Sequence, residues 1–355
     1  MNTGIGVTGL LPICRKGDII LHRIITYLLC LALLILAGAQ VYAQDDLGST
    51  SGILEYRTPK YLYATFYEYG LQVFDVADPI NSENIGGFIT GRQQAVDVEV
   101  VGDYAYVADG RGGMQIYNVS DPAEIQLTAD FLRPCDARAI AVETPYAYIA
   151  AADSLQIYNV SDPENAFWIT TYETDFKYDQ AIDVFDGYAY VACGVDGIRV
   201  LDVHDPANAF EAGKVIPSGM ARDVTVSGGY AYVAAGAGGL QIVDISSPQD
   251  PVVVGSGTRA GELTDGVFVE GKYAYLADRN TGLHIIDISD PYAPSEISVL
   301  KVKGKASDVF VMGGYAFVAA MSGDISIVDV SLPDKPVLLN WLRWSGTARS
   351  VYALD

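Results

Sequence analysis

Apolar and polar positions alternate in short runs along most of this chain, and the runs recur at a fixed interval. Residues 229–248 read GYAYVAAGAGGLQIVDISSP, and 103–122 read DYAYVADGRGGMQIYNVSDP. Near copies stand at 187–206, 272–291 and 314–333. Aligned on the Tyr-Ala-Tyr stretch, the anchors are Tyr61, Tyr104, Tyr146, Tyr188, Tyr230, Tyr273 and Tyr315, spaced 42 or 43 residues apart. A period near forty suits either a propeller blade or a pair of helices. Abundant Val, Ile and Tyr, frequent glycine and no sustained helical period decide for strands.

The unit at 221–257 predicts four of them. Ala221 to Val226 is a first strand, followed by a Ser-Gly-Gly turn, and Tyr230 to Ala235 is a second. Gly236 to Gly239 permits a tight turn, because glycine reaches positive φ without steric cost. Leu240 to Ile245 is a third strand, Ser246-Ser247-Pro248 turns the chain, and Pro251 to Gly255 is a fourth. In the second strand Tyr230, Tyr232 and Ala234 share one face, and Ala231 and Val233 the other. Both faces are apolar, so each unit must be sandwiched between neighbours.

The ends of the pattern predict closure. The first unit has second and third strands, Tyr61–Thr65 and Leu71–Val76, with no first strand before them. Residues 348–354, ARSVYAL, match the first-strand pattern ARDVTV and have no second strand after them. One completes the other, which makes an all-β ring: a seven-bladed β-propeller of four-stranded antiparallel blades. An open solenoid leaves both half-units unexplained and would need capped edges.

The third strands read LQVFD at 71–75, MQIYN at 114–118, LQIYN at 155–159, IRVLD at 198–202, LQIVD at 240–244, LHIID at 283–287 and ISIVD at 325–329. With these motifs the chain resembles the LVIVD-repeat β-propeller proteins over 53–355. The resemblance implies the propeller fold and a secreted or surface-associated bacterial or archaeal setting. It implies no particular reaction.

The chain has 355 residues, with 44 acidic against 22 basic side chains and a net charge of −22. That balance argues against nucleic acid and against docking on an anionic membrane, both of which need clustered Lys and Arg. Residues 1–43 differ in kind. Arg15, Lys16 and Arg23 precede an apolar run from Ile24 to Ala39, and Val41-Tyr42-Ala43 supplies the small residues of a cleavage site. The order predicts a secretory signal peptide over 1–43, a short polar linker over 44–52 and the propeller over 53–355. An uncleaved anchor is the alternative. The expected location is extracellular, periplasmic or cell-surface, with no membrane insertion of the mature domain. Cys135 and Cys193 remain after the leader, as free thiols or one bridge.

Two sets of acidic residues invite chemistry. The third strands end in Asp75, Asn118, Asn159, Asp202, Asp244, Asp287 and Asp329. Each precedes a turn, where a short polar side chain bonds local backbone N–H groups, so a structural role is expected. Asp97, Asp183, Asp223, Asp265 and Asp308 fall near the start of first strands, with Ala139 and Ser350 in the equivalent places. First strands line the central channel of a propeller. These five ring its mouth as a calcium site or cation funnel on one reading, or bond the backbone of the next blade on the other. Only His204 and His284 follow the leader, in distant blades, and HExxH, GxSxG and phosphate-loop motifs are missing.

The second-to-third and fourth-to-first connections emerge on one face, where the repeat varies most. The longest, Tyr172 to Gln180, is acidic and aromatic and carries Phe176 and Tyr178. The first unit's turn reads Phe66-Tyr-Glu-Tyr69, and the last unit carries Trp341-Leu-Arg-Trp344. Units one and seven are neighbours in a ring, so Tyr67, Tyr69, Trp344 and Arg92 form a candidate patch for a peptide or sugar, or else closure packing. The expectation is a non-catalytic binding scaffold for a protein, peptide or glycan, with no catalytic residue and no cofactor other than an optional calcium. The rival is an exported hydrolase or lyase using the channel-mouth acids. A part in a larger envelope assembly is a third reading.

Overall fold

The computed structural model describes residues 58–89, 94–132, 136–174, 180–257 and 263–355. The leader and linker expectations, together with Arg92, Cys135, Phe176 and Tyr178, lie outside these residues.

Seven four-stranded antiparallel sheets form seven blades, taken here in ring order. Six are continuous in sequence. Blade 5, for example, runs Asp223–Ser227, Tyr230–Ala234, Leu240–Asp244 and Val252–Ser256 from its inner to its outer strand. Blade 1 is composite. Its inner strand is the C-terminal Ala348–Leu354, paired antiparallel with Tyr61–Phe66, so that Tyr61 faces Leu354 and Ala64 faces Val351. Gly70–Asp75 and Glu83–Phe88 complete it. The inner strand of blade 1 touches the inner strands of both blade 7 (Ala306–Met312) and blade 2 (Asp97–Val101), which closes the ring.

The core is a set of interfaces between blades. Ala231 and Val233 of blade 5 pack with Tyr190, Ala192, Ile198 and Val200 of blade 4. Tyr232 and Ala234, on the other face of the same strand, pack with Val267, Ala274 and Leu276 of blade 6. A strand buried on both faces is therefore held by two neighbours, as its two apolar faces require. The closure interface follows the same rule: Leu62, Phe66 and Phe74 of blade 1 meet Phe317, Ile325 and Ile327 of blade 7.

The third-strand acids and amides are turn formers in all seven blades. Each accepts a hydrogen bond from the backbone N–H two residues on, at 3.0 Å from Ala77 to Asp75, 3.0 Å from Ser120 to Asn118 and 2.9 Å from Ser246 to Asp244. The same bond reaches Asn159, Asp202, Asp287 and Asp329. Cys193 is a free thiol buried in blade 4, and burial pushes its pKa up to about 12. Among the described residues no helix is long and apolar enough to cross a membrane.

Candidate functional site

An inner strand has a hydrogen-bonded neighbour on one side only, and its other edge faces the channel. The N–H groups on that edge need acceptors. Acidic side chains of the inner strands supply them. Asp97 accepts from its own next N–H, Val98, at 2.8 Å and from Ile140 of blade 3 at 2.9 Å. Asp223 accepts from Val224 and from Val267 of blade 6, both at 2.8 Å. Asp308 accepts from Val309 at 2.8 Å and from Val351 of blade 1 at 2.9 Å. Each carboxylate therefore stitches one blade to the next. Burial pushes all three carboxyls above their ordinary range, Asp308 to about 6.

Asp183 and Asp265 hold different places from these three. Asp183 lies opposite Tyr190, the register position that Glu99 holds opposite Tyr106. It therefore belongs one layer deeper, with Glu99, and Ala181 is the residue of blade 4 that lines the mouth. Both deeper acids make the same stitch, Asp183 to the Val226 N–H at 2.7 Å and Glu99 to the Val142 N–H at 2.8 Å. Burial raises them to about 6 and about 8. In blade 6 the strand bulges between Thr264 and Gly266, and Asp265 is the extra residue. A bulge re-aims a side chain. Asp265 turns toward the rim, where it pairs with Arg279 and lies 3.3 Å from Arg222. A Cβ on Gly266 would press to 2.9 Å on the Asp308 Cα, so a side chain is crowded out where blades 2, 5 and 7 place an acid.

Above this floor lies a cavity of about 390 Å³ to which all seven blades contribute. Five of the chain's 13 arginines line it: Arg111, Arg138, Arg222, Arg279 and Arg349. Two local devices bring them there. Arg138 and Arg349 each follow the first alanine of an inner strand, where the register slips in blades 3 and 1, and Arg222 follows Ala221 just before the inner strand of blade 5. Arg111 and Arg279 sit in second-to-third turns, which emerge on the same face. Arg138 bonds Asp136 at 2.7 Å. Arg111 and Arg349 are exposed and carry no ion pair among the described residues. The Ala-Arg pairs at 137–138, 221–222 and 348–349 were the available sequence signal, and strand pattern alone does not read them as a set.

The aromatic residues of the closure divide. Tyr67 lines the cavity with the Arg349 guanidinium over its ring, 5.4 Å from the centroid. Tyr69 is 37% exposed beside Gly346. Trp344 turns inward and is half-buried, tilted against Phe66 at 6.1 Å and edge-on to Phe74 at 5.9 Å. It fills the seam between blades 7 and 1 rather than extending the Tyr67 surface.

His204 is exposed and bonds the Asp202 of its own turn at 3.0 Å. His284 is buried between the Thr281 hydroxyl at 2.6 Å and Glu296 at 3.0 Å. That order has the look of a nucleophile, base and orienting acid. Its place in the repeat explains it otherwise. The equivalent Gln72 and Gln241 donate to turn carbonyls of Tyr69 at 3.0 Å and Gly238 at 2.8 Å. His284 fastens the same turn through Thr281. Among the described residues no cluster of three or more His, Cys, Asp or Glu could hold a metal ion.

The LVIVD repeat matches six times, over 93–132, 134–174, 178–216, 218–258, 261–301 and 303–340, which are blades 2 to 7. The chain belongs to the LVIVD-repeat family. No curated protein matches it. Among solved structures, a protein from Lactobacillus plantarum is similar at 14% identity, over 84% of this chain and 100% of that one, with a TM-score of 0.72. A functionally unknown protein from Desulfotomaculum acetoxidans is similar at 15% identity, over 84% and 99%, with a TM-score of 0.67. AztD from Citrobacter koseri is similar at 12% identity, over 83% and 97%, with a TM-score of 0.56. These likenesses establish the fold alone.

Proposed function

We propose that the protein is an exported, non-catalytic binding scaffold that takes a protein, peptide or glycan partner on the loop face, centred on the channel mouth. One observation carries the reading. All seven blades contribute to a single cavity, and its rim is crowded with arginine in a chain of net charge −22. Chance scatter does not concentrate the scarcer charge there, and clustered arginine is common in recognition surfaces. The acids an enzyme would use are committed elsewhere, since Asp97, Asp223 and Asp308 each serve two backbone N–H groups. The apolar run at Ile24–Ala39 supports export.

The test is to probe the full chain against arrays of glycans and of peptides, alongside a variant carrying Tyr67→Ala and Arg138→Ala. Retention of a ligand class is expected, and it should fall at least tenfold in the variant. Retention that ignores both substitutions would refute the placement at the mouth. Cell fractionation checks export: the chain should leave the cytoplasm, and a version lacking residues 1–43 should stay there.

A further inference from the structure

The cavity is two-faced, and that restricts what fits it. Five guanidiniums stand at the rim against two rim carboxylates, Asp136 and Asp265. Guanidinium forks match carboxylate and phosphate oxyanions by paired parallel hydrogen bonds. Arg111 and Arg349 have no such partner among the described residues. The floor is opposite in character. Asp97, Asp223 and Asp308 accept two N–H bonds each, and a carboxylate has room for about four. Ser350 adds a hydroxyl against Asp97 and Asp308. Such a floor accepts hydrogen bonds from hydroxyl groups and repels a second anion pushed deep.

The complementary ligand carries an oxyanion on one edge and hydroxyl donors on the others. We propose that the mouth binds an acidic saccharide of the uronate type, with its carboxylate among the rim arginines and its hydroxyls donating to the floor aspartates. Tyr67 stands at the rim, where an aromatic face suits the apolar face of a sugar ring. The 390 Å³ lies at the small end of the range for ligand pockets, about 300–1,000 Å³. One or two sugar rings are in scale with it. An acidic peptide fits less well, because its carboxylate side chains bring no hydroxyl donors to the floor aspartates. The inference rests on the loop-face reading above and specifies the ligand.

Calorimetric titration of the full chain separates the two. The probes are trigalacturonate, its methyl ester and triglutamate. The variant is Arg111→Gln with Arg349→Gln, both exposed positions, and its unfolding temperature should match that of the parent. Trigalacturonate is expected to bind, and both esterification and the double substitution should weaken binding at least tenfold. An ester that binds as well as the acid overturns the proposal, as does a failure of trigalacturonate to bind. Triglutamate binding that depends on the same arginines, without sugar binding, would overturn the saccharide and leave the loop-face scaffold standing. Sugar binding indifferent to Arg111, Arg349 and a third substitution, Arg138→Gln, would remove the mouth from both readings.

Discussion

Replacing Asp308 with alanine removes two hydrogen bonds at the seam where blade 7 meets the C-terminal strand. The backbone N–H groups of Val309 and Val351, donors at 2.8 and 2.9 Å, lose their acceptor, and both residues are buried. An orphaned buried N–H costs about 1–3 kcal/mol, so two cost about 2–6 kcal/mol. Against this stands the relief of a buried charge. Burial lifts the carboxyl from 3.8 to about 6. Two units correspond to about 3 kcal/mol at pH 7, where the group is ionised in the fold and in the unfolded chain. The net change at pH 7 therefore runs from about 1 kcal/mol of stabilisation to about 3 kcal/mol of destabilisation. At pH 5 the folded protein holds a proton that the unfolded chain has mostly lost. A carboxyl raised in this way contributes stability below its unfolded value and loses it as pH rises through about 6. Between pH 7 and pH 5 the parent gains about 1.4 kcal/mol from this group, which alanine cannot supply. Urea unfolding of parent and Asp308→Ala at pH 5, 6 and 7 measures the difference. The gap should widen toward pH 5, and Asp308→Asn, which is neutral throughout, should show the same slope. A gap that narrows toward pH 5 would mean that the anion is the stabilised form, and the argument from burial would fail.

Other parts of the structure make separate demands. Deleting residues 348–355 exposes the edge of Tyr61–Phe66 and opens the closure core, so near-UV circular dichroism should lose its cooperative melt. Trp344→Ala empties the seam beside Phe66 and Phe74 and should cost about 3 kcal/mol in urea unfolding, while distant blades keep their far-UV signal. His284→Gln should stay within about 0.5 kcal/mol of the parent and His284→Ala should lose about 2 kcal/mol, because the side chain fastens a turn that glutamine fastens elsewhere. Calcium titrated into chelator-treated protein should give neither stoichiometric heat nor a shift in melting temperature, since the floor carboxylates already serve backbone N–H groups.

The propeller was legible because its information is periodic. Tyr-Ala-Tyr recurs every 42 or 43 residues, and the unmatched first strand at 348–354 has one possible partner. The third-strand turns were legible for the same reason, since Asp244 and its counterparts each act on a residue two positions away. The mouth was not. Arg111 and Arg349 are 238 positions apart, and only ring closure puts them on one rim. The places of Asp183 and Asp265 depend on a register shift and a bulge, each of a residue or two, which sequence alignment does not resolve. Trp344 reads as a surface aromatic in a variable loop until the seam it fills is known.

On the proposed reading, the floor of the mouth serves stability and the rim serves recognition. The floor acids hold blade to blade, and the rim arginines meet few such demands. Such a separation would let a repeat scaffold carry one specific site without disturbing its ring. The most direct test is a crystal structure of the full chain grown with trigalacturonate. A carboxylate is expected within hydrogen-bonding distance of Arg111 or Arg349, with sugar hydroxyls over Asp97, Asp223 and Asp308. A sugar bound on another face, with the mouth arginines paired only among the protein's own acids, would contradict that expectation.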